Sequence, residues 1–402
     1  MSKHFKVVVI GAGTGGISFS ASLSREIEAS DIAIIDPAEF HYYQPLWTLV
    51  GAGLESLEST KKPVADLIPE GVNWIKNSVK EILAEKNTLL LQNDESLTYD
   101  FLLVSPGLRL RWDKIEGLEG NLGKNGVCSI YHQDQVEYAQ QQILNFKKGN
   151  AVFVMPPVPI KCAGAPQKIM YLADRIFRNN NVRQDINIHW TTAGMAMFGI
   201  PTFSAPLTEI VKEKDIKTHF RHKIVGINAE KKEAYYDVTH EDNSVTRTTV
   251  PYDLLHVVPP MSAPEFIEKS TLAFQDGDQK GWLAVDKHTL QHLKYKNIFG
   301  LGDVTGVPNS KTGAAIRKQY PIVVANMLSV MNGMEPTEHY DGYSSCPLVV
   351  DIGKVILAEF GYDGKLMPTF PVDQSIPRTS MWYLKRYLLP ALYWNIMMKG
   401  RG

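Results

Sequence analysis

Four consecutive apolar residues, Val7-Val8-Val9-Ile10, open the patterned part of the chain and run straight into Gly11-Ala12-Gly13-Thr14-Gly15-Gly16. So short an apolar run, bounded by glycine, predicts a strand buried on both faces. The stretch behind it, through Arg25, reads as a helix, and a second apolar run, Ile32-Ala33-Ile34-Ile35, ends on Asp36. The order is strand, glycine turn, helix, strand, acid, with the acid 20 residues after Gly16. A lone GxGxxG says little, but this context is the one a dinucleotide fingerprint requires. Gly11, Gly13 and Gly16 permit a tight turn and close approach of the backbone to a pyrophosphate at a helix N-terminus, and Asp36 can hold ribose hydroxyls.

Later apolar runs extend the α/β pattern. Tyr99 to Val104 reads as a buried strand ending in the turn Ser105-Pro106-Gly107, and Asn297 to Leu301 as another ending in Gly302-Asp303. Between them Asn150 to Met155 reads as the opening strand of a second nucleotide domain, but Pro156 to Gly164, with Cys162 inside it, stands where glycines would be. The next strand, Ile186 to Thr192, ends in threonine instead of an acid, and Tyr252 to Val258 runs into Pro259-Pro260. Three devices for holding a nicotinamide cofactor are missing, so the electron donor is expected to be something other than NADH. A helix-like stretch from Lys311 to Asn332 is followed by a loop, Tyr340 to Pro347, which contains Cys346, and by a hairpin of Leu348–Val350 and Lys354–Phe360.

Composition narrows the classes. At 402 residues the chain holds roughly two to three domains. Hydrophobic residues at 44% and charged residues at 21% exclude a disordered or fibrous chain. A balance of 42 basic and 43 acidic side chains gives no support to nucleic-acid binding. Three cysteines are too few for a secreted disulfide framework, and no CxxC or Cys/His pair suits zinc. The mean hydropathy of −0.16 argues against a polytopic membrane protein, and no signal peptide, transit peptide or spanning helix is read. After Asp373, however, no acid occurs, while Arg378, Lys385, Arg386, Lys399 and Arg401 alternate with Trp382, Tyr383, Tyr387, Tyr393 and Trp394. That composition suits a helix lying on a bilayer, with Met381, Leu384, Leu388 and Leu392 at helical spacing. The charge-free interval Tyr387–Met398 gives ~18 Å of helix against the ~30 Å needed to span, and Pro390 interrupts it. The competing reading is a helix docked on the protein's own core or on a second copy.

Cys162 follows a strand and precedes a helix expected near Ala165, with Lys161 beside it and Lys168 a turn onward. A helix N-terminus and ammonium groups favour thiolate over thiol, which would make Cys162 a nucleophile; the plain alternative is a small buried hydrophobe. Cys128 reads as a bystander of that kind.

The three first-domain segments, taken in order, resemble those of flavoproteins with two dinucleotide domains, in which the Gly-Asp aspartate accepts from a ribityl hydroxyl of FAD. Val158-Pro159-Ile160-Lys161-Cys162-Ala163-Gly164-Ala165-Pro166-Gln167-Lys168 is similar to the first redox-cysteine motif of sulfide:quinone oxidoreductases, in the branch that includes the mitochondrial enzymes. Tyr340-Asp341-Gly342-Tyr343-Ser344-Ser345-Cys346-Pro347-Leu348 resembles the second, and the stretches His41–Gly53 and Pro371–Ser375 also match. The resemblance runs from Gly11 to about Met398. It implies an α/β fold of two tandem Rossmann-like dinucleotide-binding domains with a C-terminal hairpin and an amphipathic helical membrane-association region. Residues 1–110 with 251–335 would form the FAD domain, 111–250 the second domain with a degenerate NAD site, and 336–402 the quinone and membrane region. It further implies FAD held by Gly11, Gly13, Gly16, Asp36, Gln44, Gly107, Gly302, Asp303 and Lys311. Lys311 would be a cation near the flavin, the bland alternative being a surface lysine at a helix start. Cys162 and Cys346 would be the redox pair, joined at rest directly or through bridging sulfur. Hydrogen sulfide would be the donor, a membrane quinone the electron acceptor, and sulfite, a thiol, cyanide or further sulfide the acceptor of sulfane sulfur. The expected location is the surface of a bacterial inner membrane, and the oligomeric state stays open, a homo-oligomer included. The rival readings are a type II NADH:quinone oxidoreductase and a non-enzymatic flavoprotein presenting an interaction surface.

Overall fold

The computed structural model describes residues 3–402. Its centre is a seven-stranded sheet in which Lys3–Ile10 lies between Ile32–Ile35 and Ser96–Val104, parallel to both. Asn73–Ile75 extends the sheet beyond Ile32–Ile35, and Ile298–Gly300 returns from far along the chain to run parallel to Ser96–Val104. Thr88–Leu91 and Val79–Leu83 complete it in antiparallel sense. Val7, Val8 and Val9 are fully buried, as a central strand covered on both faces requires. One cover is the helix Thr14–Leu23, which packs against the longer helix Gly313–Met331.

A second, five-stranded sheet is parallel throughout, in the order Val127–Cys128, Leu254–His256, Gly149–Met155, Ile186–Thr192, Ile216–His219. The strand Leu254–His256 therefore belongs to this sheet, although 251 was expected to begin the return to the first domain. An antiparallel meander, His222–Asn228, Glu233–Thr239 and Val245–Pro251, flanks it. The architecture is thus mixed α/β with Rossmann-like sheets, and among the described residues no helix is long and apolar enough to cross a membrane.

The hairpin is longer than expected. It pairs Ser344–Asp351 with Lys354–Phe360, so Cys346 sits in a strand opposite Ala358 and not in a loop. Beyond it, the helix Thr379–Tyr383 passes through a π-helical turn, Leu384–Leu388, into the helix Leu389–Asn395. Pro390 has no N–H for the helical ladder, and just before it the Leu389 N–H bonds to the carbonyl of Leu384, five residues back.

This tail corrects the picture of a cationic lipid-facing helix. Trp382, Lys385, Tyr393, Trp394, Met397 and Met398 are buried against the body, and Arg386 pairs with Glu55 at 2.8 Å. Of the five basic residues only Lys399 and Arg401 are exposed. The large side chains it exposes between 383 and 396 are apolar and aromatic: Tyr383, Tyr387, Leu388, Leu392 and Ile396.

Candidate redox-cysteine and cofactor site

The glycine turn has the tightness its sequence implies. Gly11 has φ +100°, and a Cβ there would lie 2.4 Å from the carbonyl oxygen of Ser105; a Cβ on Gly16 would lie 1.8 Å from that of Gly11. Gly13 differs, with no atom within 4 Å of where a Cβ would be, which leaves its side of the turn open. Asp36 accepts from the Ala12 and Ala38 amides at 2.7 and 2.8 Å, while its burial raises its carboxyl above the ordinary range. Gly107 (φ +76°) and Gly302 (φ +79°) take left-handed conformations that favour glycine. Both of their segments reach the turn: Ser105 and Pro106 face Gly11, and Leu301 faces Gly15.

Asp303 is the other acid at this junction. Its carboxylate accepts no hydrogen bond among the described residues, and burial raises its affinity for a proton while Lys311 and Lys161 oppose the rise. Lys311 is buried, which removes the reading as a surface lysine. Its ammonium donates to the carbonyls of Asp303 and Thr305 at 2.7 and 2.9 Å over the Trp282 ring, and burial pushes it down to about 8. Lys161, likewise brought to about 8 by burial, donates to Gln44 Oε1 at 2.7 Å. The Cys162 amide donates to the Lys311 carbonyl at 2.9 Å, so one backbone contact ties the cysteine loop to the Gly-Asp segment.

Open space beside Gly13 and an acid without a hydrogen-bond partner among the described residues at Asp303 fit a bound group carrying phosphates and hydroxyls.

The two cysteines meet although 184 positions apart. Cys162 has φ +46°, a conformation that costs a side-chain-bearing residue about 1–2 kcal/mol. Its carbonyl is pinned by the Tyr131 hydroxyl at 3.0 Å and the Ala165 amide at 2.8 Å, which holds the residue there. The helix Ala165–Asn179 begins at once, and Lys168 within its first turn places Nζ 3.3 Å from Cys162 Sγ. Gly164 is forced by the same packing: a Cβ would come within 2.5 Å of Cys346 Sγ. A hydrogen bond from the Cys346 thiol, then the charges of Lys168 and Lys385, hold Cys162 well below the usual thiol range despite burial. Cys346 is pushed the other way, because its partner carries the charge. The two cysteines are thus pushed in opposite directions, with Cys162 the one that favours the thiolate. Cys128 stands in the second sheet, fully buried and pushed up to about 12 by that burial, the profile of an inert thiol.

Sequence reasoning missed Tyr131 and misplaced Lys385. Lys385 reaches inward from the tail, donates to the Pro45 carbonyl at 2.9 Å and is brought down to about 7, foremost by burial and then by the charge of Lys168. The only available signal was the four-residue spacing of Met381 and Lys385 on one helix, and that spacing does not reveal which face turns inward.

Residues 5–154 match the family model described as pyridine nucleotide-disulphide oxidoreductase. Over 98% of this chain and 86% of that protein, the sequence is 42% identical to the mitochondrial sulfide:quinone oxidoreductase of Dictyostelium discoideum. It is 40% identical to that of Mus musculus over 99% of this chain and 87% of that protein. This chain belongs to the sulfide:quinone oxidoreductase family. Family membership makes it an oxidoreductase and implies a flavin cofactor. The fold agrees with the crystal structure of the sulfide:quinone oxidoreductase from Aquifex aeolicus, with a TM-score of 0.79 at 19% identity, covering 100% of this chain and 92% of that one. A type II NADH:quinone oxidoreductase of Staphylococcus saprophyticus matches over only 28% of this chain and 29% of its own length. The expected bacterial inner membrane is overturned: the relatives at 34–42% identity are named as mitochondrial proteins, which points to mitochondria.

Proposed function

We propose that this family member binds FAD and oxidises hydrogen sulfide to sulfane sulfur, with two electrons passing by way of Cys162 and the flavin to a membrane quinone. The observation that carries the reading is the meeting of Cys162 and Cys346 from distant segments, with Lys168 Nζ 3.3 Å from Cys162 Sγ and Cys346 Sγ packed against Gly164 beside it. In the oxidised protein Cys162 and Cys346 would be joined directly or through a bridging sulfur. With a direct bond, hydrosulfide attacks Cys346, a new S–S bond forms there, and the Cys162–Cys346 bond breaks. Cys162 then leaves as the thiolate that Lys168 and Lys385 stabilise. The persulfide on Cys346 yields its outer sulfur to a small nucleophile such as sulfite, a thiol, cyanide or sulfide.

FAD, when bound, supplies the two-electron carrier between the Cys162 thiolate and quinone. Gly11, Gly13 and Gly16 would admit its pyrophosphate, Asp36 a ribose, Asp303 a ribityl hydroxyl, and Gln44, Gly107, Gly302 and Lys311 would line the rest. The second sheet lacks the glycine turn and acid that NADH needs, which weighs against the NADH:quinone reading. The exposed row Tyr387, Leu388, Leu392 and Ile396 would lie on the bilayer that holds the quinone.

Anaerobic titration of the purified protein tests this. Sulfide should bleach the visible flavin band and a short-chain quinone restore it, while Cys162→Ser and Cys346→Ser abolish sulfide-dependent quinone reduction. Bleaching by NADH but not by sulfide would overturn the proposal, and so would full activity in either serine variant.

A further inference from the structure

The segment 389–402 lies along the first helix, Thr14–Leu23, from one end to the other. At its start the Tyr393 hydroxyl sits 2.7 Å from Thr14 Oγ1, inside the glycine turn, and 2.5 Å from His41 Nε2. Further on, Met398 meets Ser18, and a Cβ on Gly400 would come within 2.4 Å of the Ser22 amide. Arg25 donates to the carbonyls of Lys399 and Gly400, and the Tyr320 hydroxyl donates to that of Gly402 at 3.0 Å. Tyr393 is buried, its ring 4.4 Å from that of Tyr43 and 5.0 Å from that of Trp394.

We infer that Tyr393 is a positioning residue of the cofactor turn: the contacts His41–Tyr393–Thr14 hold the Thr14 side chain in one rotamer at the start of the helix, so that the tail carrying Tyr393 governs how long FAD stays bound. The inference rests on the FAD reading above. Thr14 lies between Gly13 and Gly15 and is the first residue of the helix, where backbone amides and the helix dipole favour a phosphate. The 2.7 Å contact with Tyr393 fixes the rotamer of a hydroxyl that would otherwise turn freely. His41 also hydrogen-bonds the backbone of Ala12, so the residue that Tyr393 touches is itself tied to the turn. Burial keeps the imidazole neutral, so one of its ring nitrogens carries hydrogen and the other does not. The same tail exposes Leu388, Leu392 and Ile396.

The test measures FAD release from the full-length holoenzyme by recovery of free-flavin fluorescence after dilution. Tyr393→Phe keeps the ring and removes the hydroxyl; at about 1 kcal/mol for one hydrogen bond, release should quicken roughly five- to tenfold. Thr14→Val should do the same, Thr14→Ser should release at the wild-type rate, and the Tyr393→Phe/Thr14→Val double variant should release no faster than the quicker single variant. Unchanged release in Tyr393→Phe overturns the inference, as do single effects that multiply in the double variant. If Tyr393→Phe does not fold, release from Thr14→Val equal to that from Thr14→Ser overturns it. A wild-type protein that carries no FAD would instead refute the FAD reading itself, so the two failures are distinct.

Discussion

Removing the charge of Lys168 should silence Cys162 without dismantling the site. The ammonium lies 3.3 Å from the sulfur; Lys168 is buried and Cys162 half-buried. At an effective dielectric of about 20, opposite unit charges at that distance attract by about 5 kcal/mol, an upper figure. Two effects reduce it. The Cys346 thiol goes on donating to Cys162, and Lys385, whose ammonium Lys168 helps to depress, regains positive charge when Lys168 is gone. Taking about half leaves roughly 2–3 kcal/mol, or a 30- to 150-fold fall in the thiolate-to-thiol ratio. The sign is fixed: loss of a cation raises the thiol's affinity for its proton, so reactivity at pH 7 falls and its onset moves to higher pH. The assay is the rate of iodoacetamide alkylation at Cys162 in reduced Lys168→Met, followed by peptide mass across pH 5–10, with Lys168→Arg as the charge-retaining control. A Lys168→Met profile that overlays the wild type, or one shifted to lower pH, would refute the account of how the thiolate is held.

Three further outcomes follow from the geometry. Gly164→Ala should cut sulfide-dependent quinone reduction by more than about a hundredfold while flavin content stays normal, because the new Cβ would collide with Cys346 Sγ and Leu348; activity within twofold of wild type would refute it. Asp174 is fully buried and accepts from Arg178, Arg183 and Lys214, so Asp174→Asn should cost about 3 kcal/mol in urea unfolding, the low end for a broken buried pair because Lys214 keeps Asp351. The cations hold that carboxyl below 3.8 against the pull of burial, so its stabilisation is complete above about pH 5 and fades as pH falls below ~4, where mutant and wild type should converge. Leu388→Gln with Leu392→Gln should weaken liposome partitioning roughly 30-fold, at about 1 kcal/mol for each half-exposed leucine, and raising salt should matter less, since the two exposed cations supply at most ~2 kcal/mol. Co-sedimentation measures both.

How far the sequence could be read depends on whether a property is carried by neighbours in the chain. The glycine turn and Asp36 are local, since spacing alone fixes what a strand–turn–helix can hold, and the structure builds that turn with backbone contacts at Gly11 and Gly16 that leave no room for a Cβ. The Cys162 microenvironment was half legible: Lys168 is one helical turn from the helix start, but Tyr131, which holds the Cys162 carbonyl, comes from a segment with no pattern to mark it. The tail shows why the remainder was hidden. Its five cations and five aromatics are the composition of a membrane helix, and composition is blind to direction. Lys385 and Arg386 are adjacent, so about 100° of helix separates them; one turns into the protein beside the cysteines, and the other pairs with Glu55 on the rim. Around Pro390 the phase cannot be carried through from sequence, because the π turn shifts every residue beyond it relative to the turns before. That shift lets Tyr393 reach Thr14 and Trp394 pack against His41 and Tyr43 while Leu388 and Leu392 face outward. An insertion or deletion of one residue between Leu384 and Leu388 would therefore be more damaging than any single substitution there, since it would rotate Tyr393 away from Thr14 and His41 by about 100°. Such a variant should lose FAD faster than Tyr393→Phe, and equal release rates in the two would show that the phase of this helix does not matter.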